Sequence, residues 1–134
     1  MTPQLWAAVA PLLTVYGSGK LNMNTADGDV LGALGFSAEG IRAIRTYRVG
    51  EDGQEGTADD ASFASANAVV SDLETSLPSQ DLGLLSTLLR AGFLGVRSEA
   101  FRVTITATVP GSKSPVRVSC VMNRSGRIDA WREE

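Results

Sequence analysis

The chain has 134 residues, 43% of them hydrophobic, with a formal net charge of -3. That is enough to build one compact domain, or two small ones sharing an interface, burying roughly two-thirds of the unfolded surface. Histidine is absent and Cys120 is the lone cysteine, which excludes an internal disulfide, a several-cysteine zinc site and histidine-based acid–base or protease machinery.

The charge is unevenly spread. Residues 1–48 carry four basic and three acidic side chains, residues 49–89 eight acidic and none basic, and residues 90–134 eight basic and four acidic. An anionic middle third argues against a nucleic-acid surface running the length of the chain.

Residues 4–10, QLWAAVA, have helix-forming composition and place Leu5, Ala8 and Val9 on one side. Pro11 interrupts this apolar stretch, which lacks the positive n-region of a signal peptide. No run approaches the ~20 apolar residues needed to cross a bilayer.

From Lys20 to Arg48 the sequence predicts two short helices joined by a tight turn. Thr25 is placed to cap the first, with Asp27 and Asp29 near the positive end of its dipole and Val30, Leu31 and Leu34 as its apolar face. Gly35 stops it. Ser37 then caps a second helix in which Ile41, Ile44 and Tyr47 recur at helical spacing. Asn22 and Asn24 suit side-chain bonds to backbone around the turn that precedes the hairpin.

The segment from Val49 to Asp60, VGEDGQEGTADD, has no periodicity and reads as a loop, with Phe63 beyond it as a core anchor. Ser71 and Glu74 have the form of a capping box opening a short helix that Pro78 ends. A further helix runs from about Gln80 to Ala91, with Leu82, Leu85, Leu88 and Leu89 inward and Gly92 at its stop.

After Ser98 the period changes to two. Phe101, Val103, Ile105, Ala107 and Val109 alternate with Arg102, Thr104, Thr106 and Thr108, the pattern of a strand with one face buried and one in water. A turn from Pro110 to Pro115, an alternating Val116, Val118, Cys120 and Met122, a Ser125-Gly126 turn and Arg127 to Arg132 complete an antiparallel meander. The predicted class is α+β: a helical part over residues 1–92, including the acidic loop 49–60, then a β-meander over residues 93–134.

The acidic loop is the candidate site. Glu51, Asp52, Glu55, Asp59 and Asp60 crowd five carboxylates into ten residues, which is unfavourable unless they are solvated or neutralised by a cation. Calcium suits such a loop because it takes oxygen ligands in flexible geometry, although the EF-hand pattern is missing. A hydrated loop that binds nothing is the other reading. Nowhere else does the sequence offer a nucleophile with a base, a phosphate-binding glycine loop or a spaced carboxylate pair, so no enzymatic activity is expected.

The stretch Pro11 to Ala26, PLLTVYGSGKLNMNTA, carries a resemblance. Thr14, Val15, Tyr16, Gly17, Gly19, Lys20, Asn22, Asn24, Thr25 and Ala26, followed by Val30, Leu31, Leu34 and Arg48, are similar to the corresponding stretch of K-type minor pseudopilins of the bacterial type II secretion system. Ser98, Phe101, Val103, Arg124, Trp131, Arg132 and Glu133 match later in the chain, and the long N-terminal helix of that family is not in this sequence.

This resemblance implies a SAM-like or helix-hairpin-helix-like helical subdomain followed by a pilin-like sheet of about three strands. It also implies Ca2+ on Asp52, Asp59 and Asp60, with Glu51 and Glu55 as substitutes. Its expected partners are the I-type and J-type minor pseudopilins, with the secretion channel or cargo as further contacts. The expected place is the periplasm, the full-length protein being anchored in the inner membrane. The alternative is a helix-hairpin-helix DNA-binding module of the competence type, with Arg42, Arg45 and Arg48 on its second helix. The turn Gly35-Phe36-Ser37 lacks that module's second glycine.

Overall fold

A computed structural model describes residues 2–10, 13–108, 110 and 115–133. The chain divides into two units, one of residues 1–13 and 19–97 and the other of residues 14–18 and 98–134. The first is helical and the second is an antiparallel sheet, so mixed helix and sheet is the observed class.

In the first unit, α1 (Pro3–Val9) is capped by the Thr2 hydroxyl and has no buried residue. Leu5 and Trp6 are each about half exposed, so this helix stands on local capping and composition. Next, β1 (Leu21–Asn22) pairs in parallel with β2 (Leu94–Gly95). Two-residue strands are too short to announce themselves by alternation.

The hairpin forms as α2 (Gly28–Ala33) and α3 (Ala38–Val49). The predicted cap at Thr25 is corrected to Asp27, whose carboxylate accepts the Asp29 N–H. The cause is a turn at Asn22, whose carbonyl accepts the N–H groups of Thr25 and Ala26 and so ends before the helix begins. Gly35, at φ 103°, makes the break, and the Ser37 hydroxyl caps α3 by accepting the Gly40 N–H. Leu31 and Ile44 are buried as expected, whereas Leu34 is 40% exposed.

A second correction concerns the next helix. Ser71 and Glu74 do not open it: α4 (Ala66–Leu73) starts earlier, at Ser65, whose hydroxyl accepts the Ala68 N–H. Ser71 sits inside this helix, bonded back to the Ala68 carbonyl. The last helix, α5, runs Ser79–Arg90 from a proline N-cap. Leu85 is fully buried, and Leu82, Leu88 and Leu89 pack against the core that Met23, Ile44, Phe63, Val69 and Leu73 form with it.

The second unit is a three-stranded sheet in the order β3 (Ala100–Ala107), β4 (Val116–Asn123), β5 (Ile128–Glu133). Val109 and most of the predicted Pro110–Pro115 turn lie outside the described residues. The second turn is closed by Asn123, whose side-chain oxygen accepts from Ser125 and Arg127 N–H groups.

Register puts Phe101, Val103, Ile105 and Ala107 opposite Met122, Cys120, Val118 and Val116. Cys120 stands opposite Trp131 on the other side, so these side chains share one face. The expectation that this face is buried is corrected. Cys120 is covered, but Ile105, Val116 and Trp131 are each more than half exposed. Alternation encodes which face is apolar, and three strands alone cannot cover it.

Candidate functional site

The acidic loop is closed at its base by the Ala61 N–H on the Arg48 carbonyl at 3.0 Å. Its organiser is Asp59. One oxygen of that carboxylate accepts the N–H groups of Glu51 and Asp52, at 2.8 and 3.1 Å, and the other accepts the Thr57 hydroxyl at 2.7 Å. The Thr57 hydroxyl first, and the Asp52 N–H after it, hold this carboxyl below its ordinary range. Gly50, at φ 67°, lets the backbone lie against Asp59, where an added Cβ would sit 2.7 Å from the carboxyl carbon.

Asp60 accepts the Gly56 N–H at 2.6 Å, and its other oxygen lies 3.4 Å from the Thr57 hydroxyl. The Gln54 carbonyl is 3.2 Å from the same hydroxyl. One hydroxyl with a single proton therefore faces three acceptor oxygens. Asp52 turns to the Gln54 N–H.

Of the five expected ligands, then, Asp59 and Asp60 are brought together around Thr57. Asp52 is bonded beside them, and the side chains of Glu51 and Glu55 accept no hydrogen bond among the described residues. No group of three or more His, Cys, Asp or Glu is placed to hold a metal ion among the described residues. The donors fit a hard cation in part: two carboxylates, a hydroxyl and a carbonyl are oxygen ligands of the kind calcium takes, and they are fewer than it needs.

The hairpin turn holds a group that the sequence did not single out. Asp81, in the first turn of α5, is completely buried. It accepts the Ser37 N–H at 2.9 Å and the Ser37 hydroxyl through its other oxygen. A buried carboxylate is tolerable only when so satisfied. Gly40 permits the approach, because a Cβ there would lie 2.7 Å from the Asp81 carboxyl carbon. The N–H that a DNA phosphate would seek at the start of α3 is thus occupied by a carboxylate.

Asn24 also reaches further than a local turn. Its amide donates to the carbonyls of Phe63 and Val96, at 3.1 and 2.9 Å, and its oxygen accepts the Phe63 N–H at 2.8 Å. Phe63 stacks on Tyr47 with ring centroids 4.4 Å apart. Burial pushes the Tyr47 phenol above its ordinary range, helped by its bond to Asp72. Arg48 donates to the Ala26 carbonyl at 2.8 Å. Asn24 and one nitrogen of Arg48, near the end of α3, therefore serve the framework.

Among the described residues no helix is long and apolar enough to cross a membrane. Comparison with family models, with characterised proteins and with solved structures finds no match.

Proposed function

We propose that this chain is a non-enzymatic assembly component, the later part of a K-type minor pseudopilin acting at the tip of a type II secretion pseudopilus in the periplasm. The observation that carries the reading is the sheet of the second unit, whose apolar face is left largely open. Exposed apolar area of this kind is what protein association uses. The order of a helical part followed by an antiparallel meander, and the residues of the Pro11–Ala26 stretch, are in keeping with it.

Calcium belongs to the same proposal. Asp59 and Asp60, with Thr57, would hold the ion, and its charge would offset their repulsion and favour the one loop shape that coordinates it. Calorimetry at near-millimolar calcium tests this point. Absence of heat, or thermal stability in calcium that is unchanged by Asp59→Asn with Asp60→Asn, overturns the calcium reading while leaving the assembly reading intact.

Assembly itself is tested by co-purification with the soluble parts of the I-type and J-type minor pseudopilins. Retention by the pair, lost in Ile105→Asp with Trp131→Asp, is the expected result. No retention at micromolar protein would overturn the proposal.

A further inference from the structure

We propose that the cleft between the start of α2 and the adjoining face of α3 binds a peptide segment through a carboxylate, with Arg45 and Arg48 as the anion-holding pair. The cleft has a volume of about 460 Å³, within the range of pockets that take small ligands. It lies wholly within the helical unit, and the inference needs neither the assembly role nor calcium.

Arg45 and Arg48 are three residues apart on α3 and therefore share a face. Arg48 spends one nitrogen on the Ala26 carbonyl, which fixes its guanidinium at the wall and leaves other donors of the fork unspent. The Arg45 side chain is exposed and makes no ion pair or hydrogen bond among the described residues. Two like charges on one helix face repel each other, and an anion received between them adds to the offset that Asp27 and Glu55 provide at the cleft border. A carboxylate matches the planar guanidinium through two parallel N–H···O bonds.

The remaining lining selects the ligand class. Asp27 and Glu55 border the same cleft, so a doubly charged phosphate meets two carboxylates as well as two guanidiniums. A peptide carries one negative charge at each acid group, and its N–H groups can be accepted by Asp27 and Glu55. Leu31 and Ile41 supply an apolar floor for a neighbouring side chain. Alternating charge around an apolar floor suits a peptide better than a nucleic-acid backbone, whose continuous row of phosphates the anionic loop repels more strongly than one or two carboxylates.

The test is a titration of the isotope-labelled full chain with N-acetyl-leucyl-glutamate to about 10 mM, a weak-ligand regime, read by proton–nitrogen correlation spectra. Saturable shifts are expected at backbone amides of residues 26–31 and 41–48. Forms with only the side-chain acid or only the terminal acid identify which carboxylate is held. The diamide should not bind. Arg45→Gln should weaken binding about tenfold, as loss of one charged fork contact does, with an unchanged thermal midpoint. Arg42→Gln, outside the cleft, should leave affinity unchanged. Absence of saturable shifts, equal binding of the diamide, equal loss in the two arginine variants, or tighter binding of inorganic phosphate or duplex DNA would each overturn the inference.

Discussion

Replacing Asn24 by alanine should remove much of the stability of the helical unit. Three hydrogen bonds disappear, two donated to the Phe63 and Val96 carbonyls and one accepted from the Phe63 N–H. At about 1 kcal/mol net for each bond, and a further ~1 kcal/mol for the orphaned N–H beside a buried phenylalanine, the loss is about 4 kcal/mol. Against a typical total of 5–15 kcal/mol that is a large fraction. With about 3 °C per kcal/mol for a chain of this size, the midpoint falls by about 12 °C. Thermal and urea unfolding followed by far-ultraviolet circular dichroism reads the helices directly. Asn24→Asp keeps the acceptor but aims negative charge at two carbonyls, so it should be at least as damaging. A loss below about 1 kcal/mol for the alanine variant, with an unchanged urea slope, would refute the claim that Asn24 ties the segments around residues 24, 63 and 96 together.

Gly40→Ala should destabilise by about 2 kcal/mol although alanine is the better helix former, because the new methyl displaces Asp81 from Ser37; chemical denaturation checks it, and a gain would refute the close approach. Asp81→Ala should cost about 3 kcal/mol by leaving the Ser37 groups unpaired, measured in the same way. The Asp59 pKa is lowered on folding, so its contribution is present above its unfolded value of 3.8 and is lost as pH falls through the lower folded value. Loop-amide exchange or chemical shifts in acid should show this, and Asp59→Asn should abolish the transition. The Tyr47 pKa is raised, so its contribution is complete below 10.0 and fades as pH rises through the higher folded value. Alkaline unfolding compared with Tyr47→Phe tests that sign.

Much of the secondary structure was legible because local chemistry and tertiary packing agree. Ser37 caps where a serine after a glycine break should, and the leucines of α5 recur at the helical period. The two β3 and β4 runs alternate and pair in register. The acidic loop could be placed from its glycines and lack of period. Its internal wiring could not, since which of five carboxylates takes which N–H depends on backbone angles that composition does not encode.

The role of Asp81 is illegible in the sequence for a related reason. An acidic residue in the first turn of a helix is favoured on the surface by the helix dipole, and nothing nearby in sequence shows that Ser37 lies over it. Asn24 looked like a local turn residue because its partners are 39 and 72 positions away. The Ser71-x-x-Glu74 spacing imitates a helix start inside the last turn of α4, which masks the cap at Ser65. The exposure of the sheet is a different kind of miss. Alternating residues specify an apolar face, while its cover must come from elements that alternation does not describe.

If the chain assembles as proposed, its open sheet face is covered in the complex. Hydrogen–deuterium exchange of the full chain, alone and mixed with the I-type and J-type minor pseudopilins, tests it most directly. The account predicts slowed exchange concentrated in residues 100–107, 116–123 and 128–133, where the open apolar face lies. Exchange in these strands that is unchanged when the partners are in excess would contradict it.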